Sequence, residues 1–179
     1  MEMTKQNMLE KLLNAYSHHY DIEPQPPTPF DASAVYYMRD ENYLISKKHV
    51  LSAVEQYEYV YFYLTDHLDL RTLEEQIERS MELGTQRIRP HKEHMSSYVT
   101  LVILADTIDP DARQHLKKTK MRKYFRLALH GWMEYHIAAV DLSTAEVYAN
   151  RKGKELRSSL CKIIDFETKR KSGEEKKSV

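Results

Sequence analysis

The sequence predicts an α+β fold, a single domain in which helices pack on a mainly antiparallel mixed sheet of about six strands. Residues 125–139 alternate between apolar and polar side chains, which is typical of a strand with one buried face, and residues 57–64 alternate between tyrosine and mainly apolar side chains. Residues 97–105 are almost continuously apolar, as expected of a central strand covered on both faces. Elsewhere, apolar residues recur every three or four positions, which indicates helices that bury one side.

The first thirty residues are predicted to form a helix and a stiff connector. Thr4 has the side chain of a helix N-cap, and the apolar residues after it form one helical face within residues 1–22. Residues 23–30 hold four of the chain's six prolines, so no helix can persist there and an extended conformation is expected.

Two strand predictions follow the connector. Residues 34–38 and 43–50 are expected to pair as a hairpin around a turn at residues 39–42. The next strand, residues 57–64, places four tyrosines on one face and apolar side chains on the other. We interpret the tyrosine face as a core surface beneath a helix, with a protein interface as the alternative.

The middle of the chain predicts a helix and then a loop. The helix is expected to begin at Asp69 or Thr72 and to end at Leu83, because Gly84 is a common helix stop. A polar loop rich in histidine, residues 86–96, then leads into the central strand.

A short helix and a long strand with a hairpin follow the central strand. Asp109 and Pro110 form the start of a helix that runs to about Thr119. Residues 124–150 are predicted to form a strand that returns through a turn at residues 141–144. The side chains expected on its buried face are Phe125, Leu127, Leu129, Met133, Tyr135, Ile137 and Ala139.

Two boundaries within this region stay open. Gly131 lies where so long a strand needs a bulge, bend or break, so residues 122–140 form either one bent strand or two elements. A helical reading of the first half is the further alternative. Asn150 is expected to cap a last helix, and residues 167–179 are polar enough to predict a disordered tail after a domain of residues 1–166.

Composition predicts the compartment. The longest apolar run, residues 99–105, is far shorter than the roughly 20 residues that span a bilayer, and the N-terminus lacks the order of a signal peptide. Cys161 is the only cysteine, so no disulfide can form within the chain, and we interpret it as a packing residue. We therefore expect a soluble cytoplasmic protein with no membrane partner.

Charge is distributed unevenly along the chain. Residues 1–112 hold 10 Lys and Arg against 19 Asp and Glu, and residues 113–179 hold 17 against 8, so opposite charges of −9 and +9 cancel to the zero net charge of the chain. The simplest interpretation is that these charges meet within one fold or between two subunits. A homo-oligomer or a complex with another protein is therefore the expected partner.

Several classes of enzyme are excluded by missing motifs. The four glycines are isolated, so the chain has no phosphate-binding P-loop and no Rossmann fingerprint. It also lacks the nucleophile elbow of hydrolases and the paired-histidine helix of zinc proteases. A single cysteine excludes cysteine-based zinc clusters. The sequence therefore predicts no catalytic residue, and it favours a protein that is not an enzyme.

One candidate metal site remains on the polar face of the long strand. Glu134 and His136 are two residues apart, so their side chains point to the same side with a separation of about 7 Å at their roots. With His130, and a ligand from His91, Glu93 or His94, they could hold zinc, manganese or iron and polarise a water. The alternative is an ordinary polar face, in which case the protein has no cofactor.

One candidate nucleic-acid site is the basic segment of residues 113–126. Its lysines and arginines could bind phosphates, and the neighbouring Tyr124 and Trp132 could stack on bases. A solvated surface facing the acidic residues of the second helix explains the segment equally well. The residues chosen as the candidate site are Lys117, Lys118, Lys120, Arg122 and Lys123.

Two segments, residues 97–106 and 130–150, resemble a family of uncharacterised bacterial proteins of unknown function. The resemblance covers most of the chain from Phe30 to Ile164. It implies a cytoplasmic bacterial protein and implies no activity.

The predicted element order is also similar to the core of restriction-endonuclease-like nucleases. That family cuts DNA with an Asp on its second core strand and a Glu-x-Lys on its third, which together hold magnesium. Here the second strand carries Lys47 and Lys48 without an Asp, and the third has Glu58 followed by Tyr59 and Val60. The residues that would hold magnesium are missing, so the element order alone implies no nuclease activity.

Two classes of function therefore stay open. The favoured class is a non-catalytic binding or assembly module, a homodimer joined through a sheet face or through the N-terminal helix. The alternative is a nucleic-acid-associated protein or a metal-dependent hydrolase, which would use the basic segment or the face formed by His130, Glu134 and His136.

Overall fold

The computed structural model describes residues 4–40 and 54–175, with side chains as far as Phe166. The predicted strand at residues 43–50 lies outside the described residues. The elements are α1 (Lys5–Tyr16), β1 (Asp21–Ile22), β2 (Ala32–Asp40), β3 (Val54–Leu68), α2 (Leu70–Arg87), β4 (His94–Ile108), α3 (Pro110–Lys118), β5 (Arg122–Tyr124), β6 (Trp132–Asp141), β7 (Glu146–Ala149), a 3-10 turn (Arg151–Gly153) and α4 (Lys154–Glu175).

Within the described residues, seven strands form one mixed sheet in the order β1-β2-β3-β4-β6-β5, and β7 also pairs with β6. The pairings β3–β4 and β4–β6 are parallel, and the other four are antiparallel. β5 and β7 pair with opposite ends of β6. The predicted α+β fold with a mixed sheet is therefore confirmed, and its centre is parallel.

Helices cover both faces of the sheet. On one face α2 packs over the tyrosines of β3, where Tyr59 and Tyr61 are buried, so the interpretation of the tyrosine face as core is confirmed. α3 lies beside α2 and adds Ala112 and Leu116 to the same core. On the other face α1 and α4 bury Met8, Leu12 and Leu160 against the central strands. Both faces of the sheet are therefore covered in the part of the chain that the structure describes.

α1 begins as predicted but is shorter. Oγ1 of Thr4 accepts a hydrogen bond from the backbone N–H of Asn7 at 3.2 Å, which confirms Thr4 as the cap. The helix ends at Tyr16, and the predicted helix to residue 22 is wrong because the chain turns there so that Asp21–Ile22 can pair with β2. Tyr20 folds back at this turn, with its ring centroid 4.7 Å from that of Tyr16.

The region around Gly131 consists of two strands. Gly131 has a φ of +78°, and a Cβ on it would lie 2.3 Å from the carbonyl oxygen of Met95, so only glycine fits. The chain reverses before this point, and β5 pairs antiparallel with β6. Leu127 and Leu129 lie in the connecting loop, where they are 96% and 77% exposed, so their predicted burial is wrong. The helical reading is wrong for the same reason, whereas the hairpin of β6 and β7 is confirmed.

The last helix is longer than predicted. Asn150 caps the 3-10 turn that leads into α4, as expected, with its side chain accepting from the N–H of Gly153. α4 continues to Glu175 and thus includes residues 167–175, for which a disordered tail was predicted; the lysines and glutamates of this segment are good helix formers. No helix in the described ranges has the length and apolarity needed to cross a membrane.

Candidate functional site

A groove of about 610 Å³ lies between α1 and α4, near the N-terminal ends of the parallel strands. This is within the usual size range of small-molecule sites. Strands β3, β4 and β6 provide its floor, and the two helices provide its walls. The wall residues are Leu12, Ala15 and Tyr16 of α1, then Tyr20, and Glu155, Leu156, Ser159, Leu160 and Ile163 of α4.

The floor of the groove is a cross-strand row of three polar side chains. Glu58 of β3 pairs in register with Tyr98 of β4, and Tyr98 pairs in register with Glu134 of β6. Because neighbouring strands are about 4.8 Å apart, the two glutamates flank the tyrosine from opposite sides, with their backbones roughly 10 Å apart. An aromatic ring between two carboxylates is a surface that favours positive charge.

Hydrogen bonds fix the Glu58 side of the row. Oε1 of Glu58 accepts from Oγ1 of Thr100 at 2.6 Å, and Oε2 accepts from the hydroxyl of Tyr20 at 2.7 Å. Burial and the negative charge of Glu58 both raise the pKa of Tyr20, so this hydroxyl stays protonated and remains a donor. The Glu58 carboxylate is therefore held in one orientation.

The Glu134 side of the row holds an ion pair that can open. The Glu134 carboxylate is largely buried and lies 2.7 Å from Nζ of Lys152, which belongs to the 3-10 turn. The Lys152 side chain is 43% exposed, so its ammonium group can move into water without a large desolvation penalty. A positively charged ligand could take its place beside Glu134.

His136 lies next to this row and is a neutral imidazole. Its ring centroid is 5.0 Å from that of Tyr98. Burial lowers the pKa of His136, and this effect exceeds the opposite influence of the Glu58 and Glu134 charges. Near neutral pH the histidine therefore adds no positive charge to the groove.

The groove has a net negative charge. Its lining holds three carboxylates, Glu58, Glu134 and Glu155, and one ammonium group, Lys152, so with neutral His136 the net charge is −2. Tyr16, Tyr20 and Tyr98 supply aromatic surface, and the remaining wall is mostly apolar. The arrangement suits a small ligand that combines a positive charge with an apolar portion.

Comparison with known proteins assigns a family to this architecture. A family model described as a domain of unknown function (DUF8052) matches residues 4–162. The chain belongs to this family. The matched range contains every residue that lines the groove except Ile163, which follows it directly. The predicted resemblance to an uncharacterised family is therefore confirmed, while no curated protein and no solved structure matches the chain.

The fold of this DUF8052 domain separates the residues of the predicted metal site. Glu134 and His136 face the groove, but His130 belongs to the loop before Gly131, and its carbonyl oxygen lies 2.7 Å from Nδ1 of His94. His94 and His91 lie on the opposite face of the sheet, beneath the α2 side. Across the described residues, no group of three or more His, Cys, Asp or Glu side chains is arranged to hold a metal ion.

A second polar cluster, which the sequence did not reveal, surrounds Glu55 at the start of β3. Its buried carboxylate lies within hydrogen-bonding distance of the hydroxyls of Tyr37 and Tyr57, at 3.2 and 3.0 Å, and of Nε2 of His91, at 2.9 Å. Nη1 of Arg39 donates to the same group at 3.1 Å. Burial raises the pKa of Glu55, but these donors outweigh it and the pKa is lowered overall. The carboxylate is saturated with partners, which favours a structural role.

His94 and Ser97 lie in the geometry of a catalytic pair, but the pair is not accessible to a substrate. Nε2 of His94 lies 2.8 Å from Oγ of Ser97, and Nδ1 is oriented by the carbonyl of His130. Burial lowers the pKa of His94, so the imidazole is neutral. Ser97 has no exposed surface, so its hydroxyl cannot reach a substrate, and we interpret the pair as a link between β4 and the loop before β6.

The structure places all five predicted nucleic-acid residues on the surface, at the end of α3, in the following connector and on β5. None of them forms an ion pair with a carboxylate of the described residues, whereas Glu75 and Glu82 pair with arginines of α2 itself. The guanidinium of Arg122 lies over the rings of Tyr124 and Trp132, at 4.9 and 5.4 Å. Arg122 therefore covers one face of each ring that was expected to stack on bases.

Proposed function

We propose that this DUF8052 domain is a non-catalytic binding module whose groove between α1 and α4 takes a small cationic ligand with an apolar portion. The observation that carries the proposal is the cross-strand row Glu58, Tyr98 and Glu134, which places one carboxylate on each side of an aromatic ring. A cation above the ring gains from the ring's quadrupole and from both charges. The apolar wall residues would bury the rest of the ligand.

The alternative hydrolase has less support, because His130 lies in the loop before Gly131, away from Glu134 and His136, which both face the groove. We retain the expectation of a cytoplasmic protein and of a homodimer as parts of the proposal. Since both sheet faces are covered, α1 remains as the element through which the predicted dimer would form.

Calorimetric titration with n-hexylammonium, and with hexanoate as the anion of similar shape, tests whether the groove binds cations or anions. We expect the ammonium to bind and the carboxylate not to bind. Glu134→Gln should weaken ammonium binding about tenfold, because it removes one of the two flanking charges. Lys152→Gln should strengthen it, because the competing ammonium group of the protein is then missing.

The opposite signs of these two effects make the test specific. Glu78→Gln is the matched control, because Glu78 is an exposed glutamate on α2, across the sheet from the groove, and it should leave the affinity unchanged. Preference for hexanoate, or loss of affinity in the Lys152 variant, would show that the site takes anions. Equal loss in the Glu134 and Glu78 variants would show that the ammonium binds elsewhere.

A further inference from the structure

The loop between β5 and β6 displays two leucines to solvent. Leu127 and Leu129 are 96% and 77% exposed, which makes them the two most exposed large apolar side chains of the described residues. Scattered apolar residues on a surface are ordinary, but two of them at the tip of one hairpin form a small exposed apolar patch. Neither leucine belongs to the two apolar cores of the described residues or packs against them.

The loop is held in a defined shape. Arg126, Leu127 and Ala128 are all left-handed, with φ values of 46°, 53° and 71°, a conformation that is unfavourable for residues other than glycine. Backbone hydrogen bonds close it: the N–H of Leu129 donates to the carbonyl of Arg126 at 3.0 Å, and that of Gly131 donates to the carbonyl of Ala128 at 3.3 Å. The leucines are therefore presented on a formed turn.

The base of the hairpin is fixed to the sheet. The ring of Phe125 packs edge-on against that of His94, with centroids 5.7 Å apart, and the N–H of Phe125 donates to the carbonyl of Gly131 at 3.0 Å. Gly131 itself lies against the backbone of Met95. A rigid base reduces the entropy that the tip loses on binding.

Positive charge surrounds the apolar tip. Residues 112–133 contain seven Lys and Arg and no Asp or Glu. Arg122, Lys123 and Arg126 belong to the hairpin and are exposed. Tyr124, which is 55% exposed, and Trp132 lie at its base. From the tip inward, the hairpin thus presents leucine, then cations with tyrosine and tryptophan, then the body of the domain.

We infer that this hairpin docks the domain on an anionic lipid surface. The order of side chains matches the interface of a bilayer, where apolar groups enter the acyl boundary while lysine, arginine, tyrosine and tryptophan lie among the headgroups. Nucleic acid also offers phosphates to the cations, but leucine reaches its apolar interior only by unstacking bases, which costs free energy. A bilayer accepts both leucines without such a cost, so it fits the hairpin better. The expectation of no membrane partner rested on the lack of a spanning segment, and docking of this kind needs none.

Co-sedimentation with lipid vesicles tests the inference. The full chain should bind vesicles containing one third phosphatidylglycerol and should not bind vesicles of phosphatidylcholine alone. High salt should weaken the binding because it screens the cations. The double variant Leu127→Ser and Leu129→Ser should bind at least roughly tenfold more weakly, since burial of leucine contributes much of the affinity. Both leucines are exposed, so the variant should keep the wild-type circular dichroism spectrum.

The matched control is Phe166→Ser, which removes an apolar side chain that is 66% exposed on α4, away from the hairpin, and it should bind like the wild type. The inference is overturned if the leucine variant binds vesicles as the wild type does, or if the wild type does not bind them. A gel shift of duplex DNA without vesicle binding would reassign the hairpin to nucleic acid. A change of subunit number in the leucine variant, again without vesicle binding, would reassign it to contact between copies of the chain.

Discussion

At the scale of single residues, Asn150, which lies between β7 and α4, forms four hydrogen bonds through its side-chain amide. Its Oδ1 accepts from the N–H groups of Gly153 and Ile137, at 2.8 and 3.3 Å. Its Nδ2 donates to the carbonyls of Thr119 and Tyr135, at 3.1 and 3.0 Å. The buried amide thus satisfies four backbone groups from three parts of the chain, and only an amide supplies donors and acceptors in this arrangement.

We expect Asn150→Asp to destabilise the domain by about 3 kcal/mol. A carboxylate cannot donate the two hydrogen bonds to the carbonyls of Thr119 and Tyr135, and its negative charge is repelled by both carbonyl oxygens. Urea denaturation at neutral pH measures the loss, which should shrink at a pH low enough to protonate the new carboxyl group. Asn14→Asp, at an exposed position of α1, is the control and should change stability by less than about 1 kcal/mol. Equal effects at the two positions would contradict the role given to the Asn150 amide.

Residue identities could be predicted from sequence only in part. The alternation of residues 133–139 correctly placed Glu134 and His136 on one face. Glu58 and Tyr98 were missed as their partners, because the register between parallel strands depends on the helices that connect them and leaves no local pattern. Asn150 was predicted as a helix cap, but its bonds to distant carbonyls were not predictable from neighbouring residues.

At the scale of elements, Gly84 shows how tertiary packing overrides a local signal. Its position suggested a helix stop, yet α2 continues through it to Arg87. A Cβ at this position would lie 2.5 Å from Cγ2 of Val99, so the glycine permits close contact between α2 and β4. Glycine is needed at this position because α2 packs closely on β4, and not because the helix ends there.

We expect Gly84→Ala to destabilise the domain by about 1 to 2 kcal/mol, because the clash with Val99 outweighs the gain of about 1 kcal/mol in helix propensity. Chemical denaturation of the single variants and of Gly84→Ala with Val99→Ala measures the coupling between the two sites. The second change opens space for the new methyl group, so the double variant should be more stable than the sum of the single effects predicts. Strict additivity would contradict the packing explanation.

In the loop before β6, the local pattern predicted a strand that the structure does not contain. Phe125, Leu127 and Leu129 continue the alternation of the following strand, so the local pattern predicted burial for all three. The chain reverses between β5 and β6, before Gly131, so the alternation of β6 does not extend back into this loop. Phe125 still packs against the core, whereas Leu127 and Leu129 are exposed. A period of two residues indicates a strand but does not show where one strand ends and the next begins.

At the scale of the whole molecule, the helices divide by their place in the chain. α2 and α3 lie between the parallel strands in sequence and cover one face, as crossover connections do. α1 and α4 come from the two ends of the chain and cover the other face. The groove is therefore formed between the terminal helices, so a ligand in it would stabilise the docking of both chain ends.

The fold class was predictable because it follows from the number and type of elements, which periodicity reveals. The parallel centre of the sheet was not, since the apolar run of β4 indicates burial on both faces without fixing the direction of its neighbours. The groove depends on that arrangement and on two helices far apart in sequence. Its existence could not have been read from any one segment.

The position of the ligand tests the central claim most directly. Two-dimensional NMR of the isotope-labelled chain, titrated with n-hexylammonium, reports which backbone amides sense the ligand. We predict that the shifts change at Glu58, Tyr98, Glu134 and His136 and in the facing turns of α1 and α4, and not along α2. Changes confined to the acidic surface of α2, or no changes at millimolar ligand, would contradict a cation site in the groove.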